Sequence, residues 1–255
     1  MSDPALYPSL RERVVVVTGG ATGIGESLVR HFAGQGSRVA FLDVAEEPAR
    51  ALAAELSRSS PAPPLFLCCD LRDGAALQRA LGEAQERLGQ VRALVNNAAN
   101  DERHPLDEVT PELWDERMAV NLRHQFFAAQ ALRAGMAAAG GGSIVNMGSI
   151  AWRLGLPGLT PYGTAKAAIV GLTKALAREL GPQRIRVNCI EPGLVMTARQ
   201  ERLWVTPEFE REVLGHQCLP DLCQPADVAR LALFLASDES AMISGQSFVI
   251  DGGWT

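Results

Sequence analysis

The 255-residue sequence has no excess of basic charge: 24 Lys and Arg stand against 29 Asp and Glu, a formal net charge of -5. Without a basic field there is little to attract a phosphate backbone or an anionic leaflet, so nucleic acid and membrane surface are poor partners. Cysteine is scarce and unpatterned. Cys68, Cys69, Cys189, Cys218 and Cys223 form no CxxC pair, are odd in number and keep no metal-ligand spacing with the four histidines. They read as reduced thiols of a cytoplasmic protein that needs no metal. No apolar run reaches the roughly 18 residues of a membrane span, and Met1 to Arg13 has neither a basic n-region nor an apolar h-region. The expectation is a soluble protein that is not exported. A repeat of fixed period and a low-complexity linker are also missing, so nothing divides the chain, and residues 1–255 are expected to form a single domain. A chain of this length buries roughly 70 to 75% of its unfolded surface and needs no staple.

What the sequence does contain is alternation. Short β-branched runs recur at Val14 to Val17, Val39 to Leu42, Leu65 to Leu67, Ala93 to Val95, Ile144-Val145, Val187 to Ile190 and Phe248 to Ile250. Between them lie longer segments with helical spacing, such as Leu77, Leu81, Ala84, Leu88 and Ile169, Leu172, Leu176, Leu180. Strand, helix, strand repeated in this way requires crossover connections, and those build a parallel sheet covered by helices on both faces. The strands are nearly all apolar, as burial on both faces demands. The expected fold class is therefore α/β: one doubly wound domain with a seven-stranded parallel sheet. Residues 199–222 break the rhythm with Trp204, Pro207, Phe209, His216 and Cys218, and read equally as a lid over a site or as an extra surface helix pair.

The first strand runs into Thr18-Gly19-Gly20-Ala21-Thr22-Gly23-Ile24-Gly25, after which a helical pattern begins. Glycines there let the backbone turn tightly and approach a pyrophosphate, which the helix N-terminus attracts. The second strand ends in Asp43, 18 residues after Gly25, near the spacing at which a carboxylate accepts the adenosine ribose hydroxyls and repels a 2'-phosphate. Neither Thr22 nor Val44 supplies the cation a phosphorylated ribose would need, so NAD is favoured over NADP. Asp70 closes the third strand and Asn96-Asn97-Ala98-Ala99 the fourth, placing polar residues at the carboxyl ends where open α/β sheets bind ligands. Gly148-Ser149 closes the fifth. Tyr162 and Lys166, at i and i+4, share a helix face. Lowering a tyrosine pKa by roughly 3 units takes about 4 kcal/mol, and a lysine cation about 4 Å away supplies energy of that order. Tyr162 is then a general acid/base, Lys166 its electrostatic partner and Ser149 a hydroxyl for the reacting oxygen.

Taken together, Thr18-Gly19, Gly23-Ile24-Gly25, Asn96-Asn97-Ala98, Asn121, Ser149, Tyr162, Lys166 and Pro192-Gly193 stand in an order and spacing that resembles the short-chain dehydrogenase/reductase family over nearly the whole chain. The resemblance implies a Rossmann-type domain, usually homotetrameric, that passes hydride between nicotinamide and a carbonyl or alcohol carbon. It implies Tyr162 as acid/base, Lys166 on the nicotinamide ribose, Ser149 orienting the substrate and Asn121 holding a water in the proton relay. Gly19, Thr22, Gly23, Ile24, Gly25 and Asp43 would serve the dinucleotide, Asp70 and Leu71 the adenine, and Asn97, Ala98 and Ala99 the adenosine ribose. Pro192, Gly193, Val195 and Thr197 would lie around the nicotinamide. Ala99 departs from the pattern, which usually has glycine there.

The residues between these motifs, Asn97 to His104, Asn121 to His124, Gly148 to Trp152 and Gln217 to Leu219, are more narrowly similar to the NAD-dependent aldose 1-dehydrogenases, which oxidise a sugar at C1 to the lactone. That likeness implies Asn100 and Trp152 as substrate contacts, with Arg103 and His104 either joining them or bracing the loop. His124 and His31 read as helix residues without a ligand role. Rival readings are a dehydrogenase or reductase of another small alcohol or polyol, and a catalytically silent NAD-binding regulator; an intact Asn121, Ser149, Tyr162 and Lys166 set argues against the last.

Overall fold

A computed structural model describes residues 5–58 and 62–255; the first four residues of the N-terminal stretch read above for export signals lie outside it. The elements alternate from the start: β1 (Val14–Thr18), α1 (Gly23–Gly34), β2 (Arg38–Asp43), α2 (Glu46–Leu56), β3 (Leu65–Cys68), α3 (Gly74–Leu88) and β4 (Ala93–Asn96). Next come α4 (Pro111–Met118), a single π turn (Ala119–Arg123), α5 (His124–Ala138), β5 (Gly142–Met147), α6 (Ala151–Leu154), α7 (Thr160–Leu180) and β6 (Ile185–Pro192). The chain closes with α8 (Ala198–Leu203), α9 (Pro207–His216), α10 (Pro225–Ala236) and β7 (Ser247–Ile250). All strand pairings are parallel, in the order β3-β2-β1-β4-β5-β6-β7. The doubly wound α/β fold expected from the alternation is the fold found.

The pleat explains how one strand serves two cores. Val15 and Val17 point into the layer under α1, α2 and α10 with Phe32, Leu52 and Leu233. Val14 and Val16 point into the opposite layer with Leu81 of α3, Leu132 of α5 and Leu176 of α7. Full burial on both faces holds for β1 and, apart from terminal residues and Arg186 of β6, for the other inner strands. The edge strands β3 and β7 are less fully covered, with Cys68 and Val249 exposed.

Strand order reverses between β1 and β4, which pair from Val15 with Ala93 to Thr18 with Asn96. A crevice opens at the carboxyl ends beside such a switch point, and ligands bind there in open α/β sheets. The irregular segment 199–222 forms α8 and α9 over this end. Thr197 and Thr206 cap them, each side-chain oxygen accepting from the N–H three residues on. Among the described residues no helix is long and apolar enough to cross a membrane.

Candidate active site

The glycine loop between β1 and α1 is held from the β4 side. Asn97 donates its side-chain amide to the carbonyls of Thr18 and Gly19 at 3.1 and 2.9 Å, while the Thr18 hydroxyl accepts from the N–H of Asn97 and Ala98. Thr22, which precedes α1, turns no side-chain oxygen back onto the helix, so the first-turn N–H groups remain directed at whatever anion approaches. Asp43 accepts from Ala21 N–H on one oxygen at 2.9 Å and from Ala45 N–H on the other at 3.0 Å. Each carboxylate oxygen keeps lone pairs for a ribose hydroxyl, and among the described residues no cation is paired with it. Asp70 is differently engaged: it grips the Arg72 guanidinium at 2.7 Å, and that partner holds its carboxyl below the ordinary range. Leu71 is buried beside it. The residues present thus fit a dinucleotide from α1 to the end of β2.

At the ends of β5 and β6 a cavity of about 210 Å³ is lined by Ser149, Tyr162, Lys166, Pro192, Gly193, Val195 and Thr197, all expected there from the sequence. α7 starts at Thr160-Pro161, with proline in the first turn where its missing N–H costs nothing, and this start fixes Tyr162 and Lys166 one turn apart. Lys166 is buried and donates to Met147 O at 2.7 Å; its nitrogen lies 5.4 Å from the centre of the Tyr162 ring. Burial brings the Lys166 ammonium down to about 8. The same burial pushes the Tyr162 phenol well above its usual range, the nearby Asp101 charge adds to this, and only a hydrogen bond from Ser149 opposes it. Against the expectation that Lys166 lowers the Tyr162 pKa, the ammonium here donates to Met147 O and desolvation is the largest influence on the phenol.

The substrate-side residues divide. Arg103 lines the cavity and lies 4.2 Å over the Trp204 ring of the segment joining α8 to α9. Asn100, His104 and Trp152 do not line it. Asn100 is held through its backbone, N–H donating to Asn121 Oδ1 at 2.8 Å and C=O accepting from Asn121 Nδ2 at 3.1 Å, so the Asn121 side chain fixes the loop after β4. The Trp152 indole instead donates to the fully buried Glu191 at 2.6 Å, and Arg153 pairs with the same carboxylate at 2.9 Å. His104 donates its backbone N–H to Gly158 O, a loop brace.

Sequence reasoning missed Asp101, Gln200, Phe209 and Trp254, which all line the cavity. Asp101 accepts from Gln200 at 2.5 Å and pairs with Arg199 at 3.2 Å, tying the loop after β4 to α8. Gln200 and Phe209 sit in the segment singled out as irregular. Trp254 belongs to no motif that the sequence offers.

A family profile described as enoyl-(acyl carrier protein) reductase matches residues 19–255. The chain is 52% identical over 250 residues to D-xylose 1-dehydrogenase of Caulobacter vibrioides, covering 98% of each. It is 50% identical to a Rhizobium meliloti protein named "Probable galactose dehydrogenase", covering 97% of this chain and 96% of that one. Among solved structures, a 7α-hydroxysteroid dehydrogenase complexed with NADH and 7-oxo glycochenodeoxycholic acid superposes with a TM-score of 0.91 at 30% identity, covering 96% of each chain.

Proposed function

This chain belongs to the short-chain dehydrogenase/reductase family, and we propose that within it the protein oxidises C1 of an aldose to the aldonolactone with NAD as hydride acceptor. The observation that carries this reading is the two-sided cavity. Asp101, Arg103, Gln200, Ser149 and Tyr162 offer donors and acceptors on the same wall system as Leu154, Leu156, Leu159, Phe209 and Trp254, the mixture that a ring with several hydroxyls and an apolar face requires. The sugar dehydrogenases named above support the same substrate class.

The residues divide the work as follows. Gly19, Gly23 and Gly25 would carry the pyrophosphate and Asp43 the adenosine ribose; Lys166, Pro192, Gly193, Val195 and Thr197 would surround the nicotinamide end. Nicotinamide, when bound, supplies the hydride acceptor and a positive charge. Ser149 orients the anomeric hydroxyl, and Tyr162 takes its proton as the C1–H bond breaks and the lactone C=O forms. Exclusion of water falls to Leu154, Leu156 and Phe209. The Ala-rich α5 leaves Phe126 and Phe127 exposed, packed edge to face at 5.3 Å, an apolar patch in keeping with a partner chain of a homotetramer.

The test is the initial rate of NADH formation over a panel of xylose, arabinose, galactose, glucose, fucose and polyols, with NAD and NADP in parallel. Saturable oxidation of one or two aldoses with NAD is expected; activity confined to polyols would overturn the reading. Asp43→Ala should narrow the NAD-to-NADP preference, since it removes both the ribose acceptor and the charge that repels a 2'-phosphate. An unchanged ratio of kcat/KM for the two cofactors would show that Asp43 does not set it.

The pH profile carries a further prediction. Tyr162 accepts a proton only as phenolate, and burial raises its pKa, so oxidation should quicken as pH rises through neutrality. Asp101→Asn removes a negative charge that raises that pKa, and the rising limb of log kcat/KM should move to lower pH. A limb that stays in place would show that Asp101 is not coupled to the phenol.

A further inference from the structure

The last five residues form a turn built around a buried carboxylate. Asp251, 5% exposed, accepts from Gly253 N–H at 2.9 Å on one oxygen and from Thr255 N–H and hydroxyl at 2.8 and 3.0 Å on the other. Gly252 (φ +70°) lets the chain fold back at this point, and a Cβ there would lie 2.6 Å from Gln217 Nε2. Gly252 O accepts from the N–H groups of Cys218 and Leu219 at 2.8 and 3.0 Å, knitting the tail to the end of α9. Between these anchors, Trp254 lies parallel to the His216 ring, centroids 5.3 Å apart and planes 1° from coplanar, and lines the cavity that contains Ser149 and Tyr162.

Two other tryptophans near the site are engaged elsewhere, Trp152 with Glu191 and Trp204 beneath Arg103. A pyranose presents a face of C–H bonds carrying partial positive charge, and an indole face is the most electron-rich apolar surface a protein offers. Resting on the aldose reading, we propose that Trp254 is a substrate-contacting specificity residue whose indole takes the C–H face of the sugar ring remote from C1, with His216 behind it and Asp251 setting the turn that delivers it. This turn thereby decides how far the sugar extends beyond the reacting carbon, and with it the ranking of pentoses against hexoses.

The experiment compares wild type, Trp254→Ala, Trp254→Phe and His216→Ala over the aldose panel, reading kcat and KM for each sugar, KM for NAD and the thermal midpoint. Loss of one apolar pocket contact is worth roughly 10- to 200-fold in discrimination. Trp254→Ala should therefore raise KM for the preferred aldose about 10-fold or more, with kcat and KM for NAD moving far less, and should flatten the pentose-to-hexose ratio. Trp254→Phe should recover part of the loss, and His216→Ala should fall between wild type and Trp254→Ala. An unchanged sugar profile in Trp254→Ala overturns the proposal, as does a loss in which kcat and KM for NAD move as much as KM for sugar. If Trp254→Ala does not fold, an unaltered profile in both Trp254→Phe and His216→Ala overturns it. The wild-type panel judges the aldose reading by itself, whereas the ratio of variant to wild type judges Trp254.

Discussion

Tyr162→Phe is expected to lower kcat for aldose oxidation by about 10²- to 10⁴-fold, the range in which a positioned acid/base acts, while the Kd for NADH measured by fluorescence titration stays within about twofold. The substitution removes one oxygen from a ring whose packing in the first turn of α7 is otherwise retained. What disappears is the phenol oxygen that the Ser149 hydroxyl touches. Lys166 cannot replace it, because its ammonium already donates to Met147 O at 2.7 Å. His124 is buried and held neutral, with its pKa pushed down to about 3 by burial and by the Lys166 charge, but it does not line the cavity. The anomeric proton would then leave to water, so residual turnover should lose the rising limb of the pH profile as well as its magnitude. Near-native kcat in Tyr162→Phe would remove Tyr162 from the chemistry and with it the proposed mechanism.

The parts of this site that could be read from sequence are those whose geometry is local. A glycine loop between a strand and a helix, a carboxylate at the end of the next strand, and Tyr162 with Lys166 at i and i+4 each carry their spatial relation in their spacing. Trp152 shows where that logic stops. It follows Ser149 by three residues and looks aimed at substrate, yet Glu191 at the end of β6 has no exposure and needs donors, and the Trp152 indole and Arg153 supply them. A buried unpaired carboxylate costs more than an indole gains from a sugar, so the tertiary partner wins. Asp101, Gln200 and Trp254 lie up to 153 residues apart in the chain and meet only after α8, α9 and the C-terminal turn have closed over the sheet. The electrostatics were hidden for a related reason: spacing brings Lys166 near Tyr162, but only the fold reveals that Met147 O claims the ammonium and that burial outweighs it.

Gly25→Ala is the substitution for which two ordinary effects oppose each other most sharply. Inside a helix, glycine to alanine normally stabilises by roughly 1 kcal/mol, and Gly34 at the far end of α1 has nothing within 4 Å of an added Cβ, so Gly34→Ala should be neutral or slightly stabilising. At Gly25 the added carbon would stand 1.7 Å from Gly19 O and 2.8 Å from Asn97 Nδ2. The obstacle is backbone, which no rotamer change relieves, and displacing it breaks the 2.9 Å bond from Asn97 to Gly19 O that anchors the loop. Overpacking costs about 1–3 kcal/mol and sometimes more, with about 1 kcal/mol for the lost hydrogen bond, which exceeds the helix gain. The thermal midpoint of the free protein should fall by about 2–4 °C for each net kcal/mol. Cofactor affinity should fall by roughly 5- to 150-fold, if the loop can take the pyrophosphate only in its original position. Equal midpoints and equal NADH Kd values for Gly25→Ala and Gly34→Ala would mean that the loop yields without penalty and that its close packing on α1 does not hold the cofactor site in shape.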